Sequence, residues 1–497
     1  MIPLLAALPI LIVIALMVFL RWNGQRAGPA GWLVGVLVSF LCFGLTPQVL
    51  WISQLKGLYL SLFVLAILWP ALWLYKIVQS AGGIQAVAKS LRSAIHDQQL
   101  LVVSLAWAFS GMLEGLAGFG LPIAVVSPML VGLGVSPVLA VAVTAIGHAW
   151  SVTFGDMGVI FQTLVSITGY NSEALVGPAA VFLGIACLAC GWSVLLILGY
   201  WRSWQAVTLI GLLMAGTQFC LARLGLIPLS AFGAGIAGMA GFILWSGKPS
   251  GQRGYPRELK AALASYGSLA LLMAVIFIIP PVNNALRQFA IPLNFPAVET
   301  LQGYSIPANM QILRLLTHPG IALTLVALCS YIIYRWLNLL PEKTGRHIAR
   351  DTWQSAAPTS LGIISMVGLS SLMEHSGMMY TLAKTVSDIA GSAFPIFSPL
   401  IGILGAFATG SNNNSNVMFA PLQQQAAILL NLNPGLLLAA QTAGGALGSM
   451  LAPAKILVGC STVGLKESQG DVLRRTLGYG LGIGLLLGVI AWLTGAL

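Results

Sequence analysis

Charge is scarce in this sequence. Lys, Arg, Asp and Glu make up 7% of its 497 residues, against roughly 25% in soluble domains, which excludes an ordinary water-solvated surface. Long polar stretches are lacking as well: the longest, residues 246–260 and 281–317, are too short to fold on a core of their own and read as loops, so no soluble domain remains. No Walker-type phosphate loop, HExxH helix, paired-cysteine zinc spacing or Ser/His/Asp set appears. These absences argue against an enzyme, against a resident metal or cofactor, and against ATP-driven work without a partner subunit. Basic residues before the first apolar run are also missing, and Arg21 and Arg26 follow it instead. That order is the reverse of a cleaved signal and reads as a retained span with its N-terminus outside.

Apolar residues take the place of charge, at 58% of the chain with a mean hydropathy of +0.92. Runs of about 18 residues or more, each able to cross a hydrocarbon core of roughly 30 Å as a helix, recur throughout. Clear ones cover residues 3–20, 32–51, 58–77, 174–200, 206–222, 261–279, 321–337 and 477–497. About a dozen spans are expected in all, an all-α polytopic membrane protein in contact with lipid. The net charge of +11 would suggest nucleic acid in a soluble protein, but here the basic residues sit in short connections and report topology, with no nucleic-acid partner. The six cysteines lie in apolar segments, and the lone CxxC of Cys187 and Cys190 reads as buried, reduced thiols. GAGIAGMAGF, residues 233–242, lacks a P-loop lysine and reads as close helix packing.

Laid on itself, the chain repeats. SAGGIQAVAK falls on HSGMMYTLAK, pairing Gly82 with Gly377 and Lys89 with Lys384, and SPVLAVAVTAIG falls on NPGLLLAAQTAG, pairing Pro137 with Pro434. Between these stretches GLAGFGLP lies near GSNNNSN. The organisation expected is N-terminal membrane helices over residues 1–54, a first repeat over 55–200, connecting helices and loops over 201–350 and a second repeat over 351–497. Lys76, Lys89 and Arg92 mark a cytoplasmic segment in the first repeat, whereas its counterpart carries only Lys384 against Asp388 and follows the basic 335–350 loop by one span. Opposite sidedness of matching segments points to an inverted repeat, whose interface holds the substrate site near the midplane.

Glycine and asparagine clusters inside apolar segments expose backbone that lipid cannot satisfy, so they mark a cavity. Gly118, Phe119 and Gly120 form one such tip; Ser411, Asn412, Asn413, Asn414, Ser415 and Asn416 form the other, each the tip of a re-entrant hairpin. A helix starting at such a tip offers free N–H groups and a positive dipole end to a carboxylate, and Asn and Ser add neutral donors.

SGMLEGLAGFGLPIAVVSPMLVGLG with TFGDMG, and FATGSNNNSNVMFAPLQ with AGGALGSMLAPAKI and VGLKES, resemble the paired signatures of the L-lactate permease family, and LWPALWLYKI fits it too. The resemblance is more distant to the ion transporter superfamily, with its scaffold and moving transport domain. It implies proton-coupled symport of lactate, glycolate or related 2-hydroxy monocarboxylates across the inner membrane of a bacterium. Thr442 and Gly444 fall on a family TGG. Sodium coupling, exchange of another organic anion and an anion channel remain as alternatives, and a homodimer as a possible assembly. Four positions depart from the pattern: His148 stands for an Asn, Asp156 for a small residue, Asn412 for an acidic one, and Ser449 for a Lys, with Lys455 following.

Ionisable groups inside membrane segments are functional candidates. They are few: Glu114 beside the first tip, His148 and Asp156 after it, and Lys455 at the matching level of the second repeat. They read as proton-coupling groups or as an ion pair, with Asp156 and Lys455 expected to join the two halves. Glu374 and His375 read as a span end meeting water.

Overall fold

Lipid offers backbone N–H and C=O groups no partner, so a chain that crosses it satisfies them within helices. The computed structural model describes residues 2–20, 22–118, 120–247, 256–341, 344–465 and 468–495. Arg21, Phe119, Lys248, Arg253, Lys343 and Lys466 therefore lie outside the described residues. Among the described residues, 11 helical segments are long and apolar enough to cross a membrane, or 12 when the bent pair Pro137–Ser151 and Gly155–Thr168 counts as one span. The protein is a multi-pass membrane protein, as its composition requires.

Helices α1 (Ile2–Val18) and α2 (Gly24–Cys42) precede the first repeat. That repeat begins with the long α3 (Pro47–Ser80), capped at Thr46, whose hydroxyl accepts from Val49 N–H at 3.2 Å. The division drawn at residue 54 falls within this helix. The short amphipathic α4 (Gly83–Ala94) follows, then a descending limb made of α5 (Gln98–Val103), a π-helical stretch Ser104–Phe109 and α6 (Ser110–Leu116). After the tip, α7 (Leu121–Val131) climbs back, α8 (Pro137–His148) and α9 (Gly155–Thr168) form a broken span bent by 52°, and α10 (Ser172–Leu198) closes the repeat.

Helices α11 (Trp204–Arg223), α12 (Ile227–Trp245), α13 (Arg257–Ile278) and α14 (Pro280–Arg287) connect the halves. Residues 281–317, expected to be loop, contain the end of α14 and four strands: β1 (Ala290–Phe295), β2 (Val298–Glu299), β3 (Ser305–Ile306) and β4 (Asn309–Arg314). β1 pairs antiparallel with β4 from Ala290↔Arg314 to Phe295↔Asn309, and β2 with β3. Cross-strand pairing satisfies this backbone where the chain runs too polar to enter lipid.

After α15 (Pro319–Trp336) the first plan returns. The long α16 (Thr344–His375), the amphipathic α17 (Met378–Ala390), the limb α18 (Phe394–Thr409), the limb α19 (Asn412–Leu429), the broken span α20 (Pro434–Leu451) with α21 (Pro453–Thr462), and α22 (Gln469–Gly495) match α3 through α10 in order. Gly82 and Gly377 both sit at φ near 80°, 78° and 82°, between the long helix and the amphipathic one. The repeat is inverted. Equivalent helices α3 and α16 lie against each other antiparallel: Ser371 Oγ donates to Ser53 O at 2.8 Å, while Trp69 Nε1 donates to Ser360 Oγ at 3.0 Å. Gly57 lets the two backbones approach, since a Cβ there would stand 3.0 Å from Gly368 Cα.

The descending limb Gln98–Leu116 is the most completely buried of the apolar spans among the described residues, and Trp107 within it and Trp150 beside it are fully buried. Cys187 and Cys190 are free and buried in α10.

Candidate functional site: two hairpin tips meeting two helix breaks

Each tip turns on a glycine that L-residues with side chains would strain: Gly120 at φ 82° before α7 and Gly410 at φ 74° before α19. Each broken span interrupts its ladder nearby. Between α8 and α9 the residues Asp156, Met157 and Gly158 are all left-handed, at φ 50°, 55° and 80°; between α20 and α21 the extended Ala452 precedes Pro453.

Tips and breaks cross between the repeats. Asn412 Nδ2 donates to Thr153 Oγ1 and to Thr442 O, both at 3.1 Å, and Thr153 Oγ1 donates to Thr442 O at 3.0 Å. At the first tip, Lys455 Nζ lies 3.6 Å from Glu114 Oε1 and donates to Ser449 Oγ at 2.5 Å. The Gly118 N–H donates to Asp156 Oδ1.

This geometry corrects the expected pair. Lys455 pairs with Glu114, and no Asp156–Lys455 ion pair forms among the described residues. The left-handed run through Asp156 turns its carboxylate back onto the first tip, whereas Lys455 extends across to α6. The ammonium ends beside Ser449, where the resemblance led one to expect a lysine.

Together these elements enclose a cavity of about 210 Å³, below the roughly 300–1,000 Å³ of drug-sized sites. Glu114, Asp156, Ser449 and Lys455 line it, with residues 410–414 on one side and Leu68, Val159 and Ile160 as apolar wall. The first intrahelical bond of α19 is donated by Ser415 to Ser411 O at 3.1 Å, and Ser411 makes no side-chain cap. The N–H groups of residues 412–414 are thus left for another acceptor. Among the described residues, both polar atoms of the Asn413 side chain are buried without a partner, as is Asn412 Oδ1.

The remaining predicted residues sit behind this face. Ser415 Oγ donates to Gly402 O at 2.8 Å, Asn416 Nδ2 donates to Thr442 Oγ1 at 2.9 Å, and a Cβ on Gly444 would stand 2.5 Å from the carbonyl carbon of Pro399. These four residues hold α19 and α20 in place. Gly120 faces the Lys455 stem, and the expectation for Phe119 falls outside the described residues. His148 lies behind Glu114: its Nδ1–H donates to Thr144 O at 2.8 Å, which leaves Nε2 with a lone pair 4.0 Å from Glu114 Oε2. Neither facing atom has another partner among the described residues, and at 4.0 Å a side-chain shift would be needed for a shared proton to bridge them.

Two features escaped the sequence. Gly24 and Gln25 of α2 and Gly362 of α16 close the cavity from outside the hairpins; their signal is a pair of glycines, with a Cβ on Gly362 reaching 3.3 Å from the Gly24 carbonyl carbon. Lys56 of α3 is buried and lies 3.3 Å from Glu374 Oε1, so Glu374 pins the two repeats rather than meeting water alone.

Gly118 is where the tip is tightest, since a Cβ would stand 3.0 Å from Glu114 Cδ and 3.1 Å from Asp156 Oδ1. Gly118→Val is expected to lower stability by about 1–3 kcal/mol through overpacking. Gly216→Val, where a Cβ meets nothing within 4 Å, should leave the melting temperature of the purified protein unchanged. Equal melting of the two variants would contradict the close tip.

A family profile described as L-lactate permease matches residues 3–497. The L-lactate permease of Bacillus subtilis (strain 168) is 27% identical over 542 aligned residues, covering 98% of this chain and 95% of that protein. Glycolate permease GlcA of Escherichia coli (strain K12) is 27% identical over 539, covering 99% and 95%. Among solved structures, the Alcanivorax borkumensis YdaH transporter superposes with a TM-score of 0.49 at 15% identity, over 86% of this chain and 84% of that one.

Proposed function

Because the chain belongs to the L-lactate permease family, we propose that it is a secondary transporter that takes up lactate, glycolate and related small 2-hydroxy monocarboxylates with protons across the bacterial inner membrane. The observation that carries the reading is the cavity, where the first turn of α19, the unpartnered Asn413 and the Lys455 ammonium converge. Free N–H groups and one cation suit a single carboxylate. Neutral donors such as Asn413 and Ser449 suit a hydroxyl beside it.

Electrostatics supports coupling. Glu114 and Asp156 both face the cavity and, among the described lining residues, Lys455 is the one cation that opposes them, so an incoming carboxylate meets a site already short of positive charge. Like charges disfavour one another's ionisation, and the anion therefore enters most readily when a carboxylate carries a proton. Asp156 is the acid whose replacement isolates this effect, because an Asn at that position retains an oxygen to accept the Gly118 N–H. Asp156→Asn is expected to exchange internal for external substrate at close to the normal rate but to lose accumulation driven by a pH gradient. Full accumulation by this variant, in proteoliposomes energised by an inward proton gradient, would assign coupling elsewhere.

The substrate assignment is tested by uptake of labelled L-lactate and glycolate into proteoliposomes. The reading fails if both stay outside under proton and sodium gradients alike while a dicarboxylate or sugar acid enters.

A further inference from the structure

A second and larger cavity, about 530 Å³, lies across α9 from the first. Three guanidiniums line it, from Arg223 at the end of α11, Arg287 at the end of α14 and Arg314 at the end of β4. None lies within 4.0 Å of a carboxylate among the described residues; Arg223 Nη1 reaches only the backbone oxygen of Glu173, at 3.4 Å. Glu173 is the one acidic residue in the lining.

The face on which this cavity opens makes the arginines unusual. Helices α13 and α15 reach the cavity by Phe277 and Pro319, while their other ends carry Arg257 with Lys260 and Arg335. Arg346 and Arg350 follow Arg335 at that same end. Basic residues gather in cytoplasmic connections, so the cavity opens to the outside, where three arginines in one place run against the trend.

His318 stands in the same wall, 8% exposed; its Nδ1 accepts the Gly320 N–H at 3.2 Å and its ring packs edge-on against Phe63 with centroids 4.5 Å apart, so it shapes the wall beside the arginines. No lining residue is common to the two cavities: α9 separates them, presenting Ile160 to the central one and Gln162 to the outer one, about 3 Å apart along the helix axis.

We infer that the outer cavity is an anion-gathering vestibule, in which Arg223, Arg287 and Arg314 hold a small carboxylate ahead of the central site on the other side of α9. The inference rests on the proposed transport reading for the identity of the anion, not for the presence of the vestibule. A cleft lined by one sign of charge raises the local concentration and arrival rate of its counter-ion by roughly 10- to 1,000-fold, and salt weakens the effect.

Labelling tests it without transport. With the six native cysteines replaced and Gln162→Cys introduced, the external reaction rates of a negatively charged methanethiosulfonate (ethylsulfonate) and a positively charged one (ethyltrimethylammonium) are compared with those of a free thiol. The anionic reagent is expected to be favoured at least tenfold over the free-thiol ratio. The preference should collapse in 1 M salt and in Arg223→Gln/Arg287→Gln/Arg314→Gln, and survive in the triple Lys variant. Should the triple Gln variant not fold, Arg287→Gln/Arg314→Gln alters only the exposed α14 and β4 positions and should still lower the ratio. An unreactive Gln162→Cys, or a ratio indifferent to the arginines, overturns the vestibule. In uptake, the triple Gln variant should raise the KM for L-lactate about tenfold at low salt with Vmax little changed. If the wild-type chain carries no monocarboxylate, the labelling ratio still decides the vestibule, so the two readings fail separately.

Discussion

Lys455→Met is expected to lose most of the folded protein and all uptake. Glu114 is 1% exposed in its side chain and its ionic partner is Lys455, itself 11% exposed. Removing the ammonium leaves a buried carboxylate without its counter-charge, at a cost of about 3–5 kcal/mol, a large fraction of the roughly 5–15 kcal/mol that holds a typical domain together. The remedy identifies the partner. Adding Glu114→Gln should restore folded yield, because a neutral amide is far cheaper to bury than an unpaired charge. It should not restore uptake, since the cation facing the cavity is still gone. Adding Asp156→Asn instead should leave yield low, because that carboxylate is held by the Gly118 N–H rather than by Lys455. Rescue by Asp156→Asn and not by Glu114→Gln, read as monodisperse protein after purification, would reverse the pairing described above.

Asn413 carries the second large effect, and of the opposite kind. Its side chain has no partner to lose, so Asn413→Ala should fold normally and melt like the parent. What it removes is a donor to a bound anion, a contact worth about 1.5–3 kcal/mol, which is roughly 10- to 100-fold in KM. Asn413→Leu goes further by filling part of the cavity and should abolish uptake. Asn416→Ala provides the contrast. It breaks the 2.9 Å bond to Thr442 and should cost stability of about 0.5–1.5 kcal/mol while leaving KM near normal. If Asn416→Ala shifts KM and Asn413→Ala does not, the cavity face of α19 has been assigned to the wrong residues.

The contrast between these two asparagines shows where sequence reasoning reached and where it stopped. A run of Asn and Ser inside apolar sequence is enough to announce a tip, because lipid cannot solvate it; it does not say which face of the resulting helix is turned to the cavity. Asn413 and Asn414 line it, whereas Ser415 and Asn416 tie α19 to its neighbours. The duplication was legible for the same reason, since Gly82, Gly377, Pro137 and Pro434 are backbone requirements that leave a spacing in the chain. Glu114, His148, Asp156 and Lys455 were legible as rare buried charges, and the structure gathers all four. Their pairing was not, because it depends on three consecutive left-handed residues at Asp156, Met157 and Gly158, a run that sequence does not announce and that Met in particular seldom joins. Lys56 was missed because a lysine near a span end ordinarily snorkels to water; here α3 extends past it on both sides, so its ammonium turns inward to Glu374. The β1–β4 ladder is written in six-residue strands too short to stand out from a polar loop.

The central claim is that the cavity between tips and breaks binds one small monocarboxylate, and equilibrium titration of the purified protein tests it most directly. L-lactate and glycolate are predicted to bind saturably at one salt-resistant site per chain in the wild type and in Asn416→Ala, and in Asn413→Leu to lose that site, leaving only weak association that 1 M salt abolishes. Binding by Asn413→Leu equal to wild type, or a wild type that ignores both acids and binds a dicarboxylate instead, would contradict it.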